Sequence, residues 1–240
     1  MLGYIDAHCH ILDDEVLTGA TVRGVGRFVV NAYASCNWDD VCASVHHDNR
    51  IYGAVGVLPW LDNELRDGWD KCLIDILSRN PRLMVGEIGL DKNRGDMEKQ
   101  ITVFTRQLQI ASDYRRIAHI HCVGAWGKMM DLLRDVNLPP AMLFHCFSGS
   151  VEIMRELCKM NAYFSFGWGL MDGRHETMCA VVAAVDEGRI LVESDAPGDT
   201  MPDKIPDIVA KIAEIRGVAP EYMANVIYEN TTRMINEQSF

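Results

Sequence analysis

The chain has no Cys-x-x-Cys pair, although it carries eight cysteines among its 240 residues. Scattered thiols argue against a disulfide framework and against a ribbon-type zinc site, and fit a reducing compartment. No apolar run reaches the roughly 20 residues that a helix needs to cross a bilayer. The opening MLGYIDAHCHILDDE lacks the basic flank and apolar centre of a secretory leader, so a cytoplasmic protein is expected. There is also no Pro-, Gly- or Ser-rich linker, no low-complexity segment and no close internal repeat; residues 1–240 read as one domain. Positive charge is scarce, 23 Lys and Arg against 34 Asp and Glu, for a net charge of −11. That balance disfavours a protein that holds nucleic acid through Lys and Arg alone. Bound divalent cations would reverse the sign locally.

What is present is a regular alternation. Short apolar runs begin near Tyr4, Phe28, Ile51, Leu83, Arg116, Ala141, Tyr163 and Ile190, each about the length of a buried parallel strand. Amphipathic stretches separate them, among them Asp62 to Arg79, Asp96 to Asp113 and Ser150 to Met160. In Gln100 to Leu108 the apolar residues return at helical spacing. Eight strand–helix units in this length predict a (β/α)8 barrel of the TIM type, with an open doubly wound sheet as the alternative. The first crossover, Leu12 to Arg27, is short and glycine-bearing and reads as a loop rather than a full helix.

Five of the putative strands end in residues able to hold a metal. They are Asp6-Ala7-His8-Cys9-His10, Gly86-Glu87-Ile88-Gly89-Leu90-Asp91, His119-Ile120-His121-Cys122, His145-Cys146-Phe147-Ser148-Gly149 and Glu193-Ser194-Asp195-Ala196-Pro197. In a barrel these ends converge on one mouth, where active sites of that architecture lie. Four histidines with Glu87 and Asp195 supply nitrogen and oxygen donors suited to Zn, or to Mn, Co or Mg. Any one of these motifs alone reads as a structural histidine or a turn; their ordered conjunction is what points to a centre. Strand alternation places Cys9, Cys122 and Cys146 away from the neighbouring histidines, in packing. His119 shares a face with His121, one layer deeper, and reads as a core residue behind the ligands. His46 and His47 read as surface residues.

With those motifs in view the chain resembles the TatD-like deoxyribonuclease family of the metal-dependent amidohydrolase superfamily. The resemblance rests on DAHCH, GEIGLD, IHC, HCFSG and ESDAP, and on Arg216-Gly217-Val218-Ala219-Pro220-Glu221 leading to Glu229-Asn230-Thr231. It implies a TIM-type barrel with two divalent metal ions. Carried over by position, His8, His10, Glu87 and Asp195 hold one metal, while Glu87, His121 and His145 hold the second, so that Glu87 bridges. It implies a hydrolase that cleaves phosphodiester bonds in DNA by a metal-bound hydroxide, with Asp195 and Glu87 as the catalytic residues and Asp195 accepting a proton.

The chain departs from the family's pattern at its periphery. Val123 stands where members usually carry Arg, and Gly56-Val57-Leu58-Pro59-Trp60 lacks a histidine before its proline. Gly198 to Pro206 is shorter than its counterpart and net acidic. The missing groups are of the kind that grips flanking phosphates. A small phosphoester hydrolase, an esterase or lactonase, and a non-catalytic metal-containing binding protein therefore stand as alternatives. Lys92, Arg94 and Arg174 lie near strand ends and read as solvated charges that could compensate. Trp60, Trp126 and Trp168 read as mouth-closing packing, with stacking on bases as the other possibility.

Overall fold

The computed structural model describes residues 3–61, 65–172 and 176–238. Arg174 and the start of the Asp62–Arg79 stretch lie outside the described residues. Eight strands alternate with helices: β1 (Tyr4–Cys9), α1 (Asp14–Val22), β2 (Val25–Asn31), α2 (Trp38–His47), β3 (Ile51–Val55), α3 (Trp69–Arg79), β4 (Met84–Asp91), α4 (Met97–Asp113), β5 (Ala118–Val123), α5 (Trp126–Arg134), β6 (Met142–Phe144), α6 (Val151–Cys158), β7 (Ala162–Phe166), α7 (Glu176–Ala184), β8 (Ile190–Val192), α8 (Ile205–Arg216) and α9 (Pro220–Asn236). The strands follow one another in sheet order from β1 to β8. This is the connectivity of a (β/α)8 barrel of the TIM type.

The chain divides into two compact units, Met1–Val30 with His145–Asn236, and Asn31–Phe144 with Glu237–Phe240. In the first, β1 pairs in parallel with β2 and β7 with β8. The chain after β8 returns to the end of β1, where the Asp195 N–H donates to the His8 carbonyl at 3.1 Å and the His10 N–H to the Ala196 carbonyl at 2.8 Å. Phe164 on β7 is fully buried and meets Phe147 edge-on, with ring centroids 4.7 Å apart. In the second unit β3, β4, β5 and β6 pair in parallel in that order.

All eight residues of β4 are buried, as expected for a strand covered on both faces. Its register against β5 requires a glycine. At Gly89, with φ +150°, an added Cβ would lie 1.9 Å from the His121 carbonyl oxygen. That close approach brings the backbone of one motif against the backbone of another. Gly89→Ala is therefore expected to destabilise the fold by at least about 3 kcal/mol, since neither backbone can retreat. A melting temperature within a few degrees of wild type would contradict it.

Two sequence expectations need correction. The first crossover is a helix, not a loop. Asp13 caps it by accepting from the Glu15 and Val16 N–H groups, Asp14 and Glu15 sit in its first turn, and Leu17 and Ala20 are buried. Gly19 is accommodated in its interior, where the surrounding space is open. The second strand begins at Val25 rather than near Phe28, because Gly24 at φ +88° turns the chain directly into it. The other helices follow their caps: Asp96 and Ser150 accept from the first-turn N–H groups of α4 and α6. No helix among the described residues is long and apolar enough to cross a membrane.

Candidate metal centre

In the first unit the donors come from the ends of β1, β6 and β8. His8 on β1 and His10 just past its end present their Nε2 atoms 3.3 Å apart. Asp195 Oδ1 lies 3.8 Å from His8 Nε2 and 3.6 Å from His10 Nε2. The Asp195 side chain is a quarter exposed while His8 is fully buried. The His145 ring stacks on His8 at 4.0 Å, nearly parallel. The side-chain donors of His145, Cys146 and Asp195 all lie within 4.8 Å of one another, as do those of His8, His145 and Glu193. Two imidazoles and a carboxylate converging on one point form a donor set that fits a divalent transition metal.

Two buried carboxylates shape this half of the site. Asp6 accepts from the His8 N–H at 3.3 Å, the Ser194 N–H at 3.0 Å and the Ser194 hydroxyl at 2.6 Å. It thereby ties the strand carrying His8 and His10 to the segment carrying Asp195. Burial pushes its carboxyl up to about 7, against the pull of the Ser194 hydrogen bonds. Glu193 accepts from the Cys146 N–H and the Ser165 hydroxyl, each at 2.5 Å, and Oε1 stands 4.0 Å from His145 Nδ1. Burial raises Glu193 to about 7 as well, opposed by His145.

In the second unit Glu87 and His121 come from the adjacent strands β4 and β5. Glu87 Oε1 lies 3.0 Å from His121 Nδ1, and Asp91 Oδ2 lies 3.5 Å from Nε2 of the same ring. Nδ1 beside Glu87 Oε1 suits two donors to one metal, and a carboxylate near the other nitrogen, here Asp91, is the kind of partner that orients a metal-binding histidine. Trp60 meets His121 edge-on at 5.3 Å. His119 is fully buried and its Cβ bears on Gly86, consistent with a core residue. His46 and His47 are exposed at the end of α2.

The structure thus gathers His8, His10, His145 and Asp195 in one unit and Glu87 with His121 in the other. Sequence reasoning gave no role to Asp6, Asp91 or Glu193. The signal was present for Asp6, which alternates with His8 along β1, and for Asp91, which alternates with Glu87 along β4; Glu193 lies past the end of β8, where alternation gives none. The expectation that Cys146 faces away into packing is wrong. β6 ends at Phe144, so strand alternation no longer applies, and Cys146 takes φ +41°. Its Sγ lies 3.8 Å from Asp195 Oδ2, and burial together with Glu193 and Asp195 holds the thiol well above its usual range. Cys9 and Cys122 are buried.

A parallel eight-stranded α/β fold with histidines and carboxylates at its strand ends defines a metal-dependent hydrolase. The family model for TatD-related DNases matches residues 5–236, and the chain belongs to that family. An uncharacterized metal-dependent hydrolase of Bacillus subtilis, YabD, is 27% identical, with 95% of this chain and 97% of that protein aligned. The 3'-5' ssDNA/RNA exonuclease TatD of Escherichia coli is 26% identical over 88% of each. The crystal structure of YjjV, a TatD homolog from Escherichia coli, superposes with a TM-score of 0.92 at 26% identity, covering 98% of this chain and 99% of that one.

Proposed function

We propose that this protein hydrolyses phosphodiester bonds in nucleic acid, DNA in the first place, using two divalent cations. His8, His10, Glu87 and Asp195 would hold one, and Glu87, His121 and His145 the other. The observation that carries the reading is the convergence of the His8, His10 and Asp195 donor atoms at the ends of two neighbouring strands. Membership of the TatD-related family and likeness to a named exonuclease support the substrate class. Divalent cations in such a centre lower the pKa of water and stabilise charge on phosphoryl oxygens.

The chain's own groups supply the rest. Asp195 turns Oδ1 toward the two histidines and Oδ2 toward Cys146, and its partial exposure lets solvent reach a proton-accepting carboxylate. Asp6 holds the backbone just before Asp195 and Glu193 the backbone just after His145, so these donors keep their geometry without reorganising. Asp91 orients His121 from Nε2, leaving Nδ1 beside Glu87 for the metal.

The loss of Arg at Val123 favours a second reading, hydrolysis of a small ester or lactone on the same centre. A substrate panel separates the two: single-stranded DNA, duplex DNA, a nitrophenyl phosphodiester and a lactone, each with metal-loaded protein. DNA cleavage that EDTA abolishes and added metal restores is the expected result. Turnover of the small substrates alone would replace the nuclease reading with the second.

A further inference from the structure

The turn after β4 carries a cation that the hydrolytic centre does not use. Gln100, fully buried on α4, holds this turn through its side-chain amide. Its Oε1 accepts the Asp91 N–H at 2.8 Å, and its Nε2 donates to the Asp91 carbonyl at 3.0 Å and to the Arg94 carbonyl. Gly95, at φ +61°, then folds the chain back beside Trp60. The result is an Arg94 guanidinium lying over the Trp60 ring, 4.1 Å from its centroid, with Nε 3.6 Å from Asp91 Oδ2. The two terminal nitrogens of Arg94 make no hydrogen bond among the described residues, and its side chain is 56% exposed. Trp60 in turn touches His121, so the guanidinium stands one ring away from a donor of the proposed centre.

An arginine on an exposed turn ordinarily loses much rotamer freedom when it binds a ligand. Here a buried amide fixes the backbone, an indole fixes the plane, and a carboxylate engages one nitrogen. The open edge of the planar fork is what remains, and a phosphodiester is the group that matches two in-plane N–H donors. A neutral ester offers that edge no charge to meet. Register adds to the argument: Val123, at the position where the family pattern has Arg, pairs with Asp91, and Arg94 delivers its guanidinium beside that same Asp91.

We propose that Arg94, laid on Trp60, holds a phosphate of a single-stranded nucleic-acid substrate adjacent to the one that is cut. This rests on the phosphodiesterase reading above. The test compares wild type, Arg94→Gln, Arg94→Lys and Trp60→Leu on a short oligothymidylate and on a nitrophenyl phosphodiester, which has no flanking phosphate. Arg94→Gln is expected to raise KM for the oligonucleotide about tenfold with little change in kcat. The ratio of kcat/KM between the two substrates should fall by the same factor. Arg94→Lys should recover part of the loss, because it restores charge without the fork. Trp60→Leu should shift KM in the same direction as Arg94→Gln. Equal losses on both substrates, or an unchanged KM for the oligonucleotide, would overturn the proposal.

Binding of a fluorescein-labelled, hydrolysis-resistant phosphorothioate oligothymidylate to metal-loaded protein, followed by anisotropy, gives a readout independent of turnover. Arg94→Gln should bind about tenfold more weakly, with a log–log salt slope shallower by about one. Equal binding by wild type and variant would overturn the proposal. If that difference is seen while wild type cleaves no oligonucleotide, the nuclease reading fails and the phosphate grip stands.

Discussion

Glu87→Gln should lower turnover on every ester substrate by more than about 100-fold, beyond the 10–100-fold typical of losing a supporting partner of a metal ligand. The substitution keeps the side chain's shape and removes its charge. Glu87 is 2% exposed and its Oε1 stands 3.0 Å from His121 Nδ1. A carboxylate that deeply buried is costly without a cationic partner, and the proposed bridging role supplies two. Metal content by elemental analysis should fall with turnover, while the circular dichroism spectrum stays that of the folded protein. If both metal content and turnover match wild type, Glu87 is not a ligand and the two-metal reading fails.

The second large effect is expected at Asp6. Asp6→Ala removes the acceptor of the Ser194 N–H, the Ser194 hydroxyl and the His8 N–H in a fully buried setting. Leaving such donors without an acceptor costs about 1–3 kcal/mol for each that finds no new partner. A loss of about 3 kcal/mol corresponds to a fall in Tm of roughly 6–12 °C for a chain of this length. Because Ser194 passes the interaction on to the Ala196 N–H at 3.1 Å, the segment holding Asp195 should loosen as well. Metal affinity should therefore drop together with Tm. Asp6→Asn keeps one acceptor oxygen for the two N–H groups and should lose less than half as much. A wild-type Tm for Asp6→Ala, measured by calorimetry, would show that the end of β1 is secured by other means.

The alternation of apolar runs with helical stretches was enough to read eight strand–helix units, because parallel strands covered on both faces leave nearly continuous apolar sequence. Boundaries were harder. Asp13-Asp14-Glu15 carries a cap and a favourable first turn, yet Gly19 masked the helix that follows. The candidate donors His8, His10, Glu87, His121, His145 and Asp195 could be picked out because they are polar residues in or just after the apolar runs. Their supports could not, since Asp6 and Glu193 act through hydrogen bonds to residues at 194 and 165, partners that no local spacing announces. Cys146 was misplaced because alternation was carried past Phe144, where the strand stops. Arg94 read as one more solvated charge, and only Gln100 and Trp60 distinguish it from that.

Cys146 at φ +41° and Asp195 at φ +50° both occupy a backbone region that favours glycine. Each such residue costs about 1–3 kcal/mol relative to relaxed backbone. The proposed proton acceptor and the thiol beside it therefore sit in positions where selection for folding alone would choose another residue. Variants enriched purely for heat resistance should drift toward glycine at 146 and 195, and shed the Asp195 carboxylate as they harden.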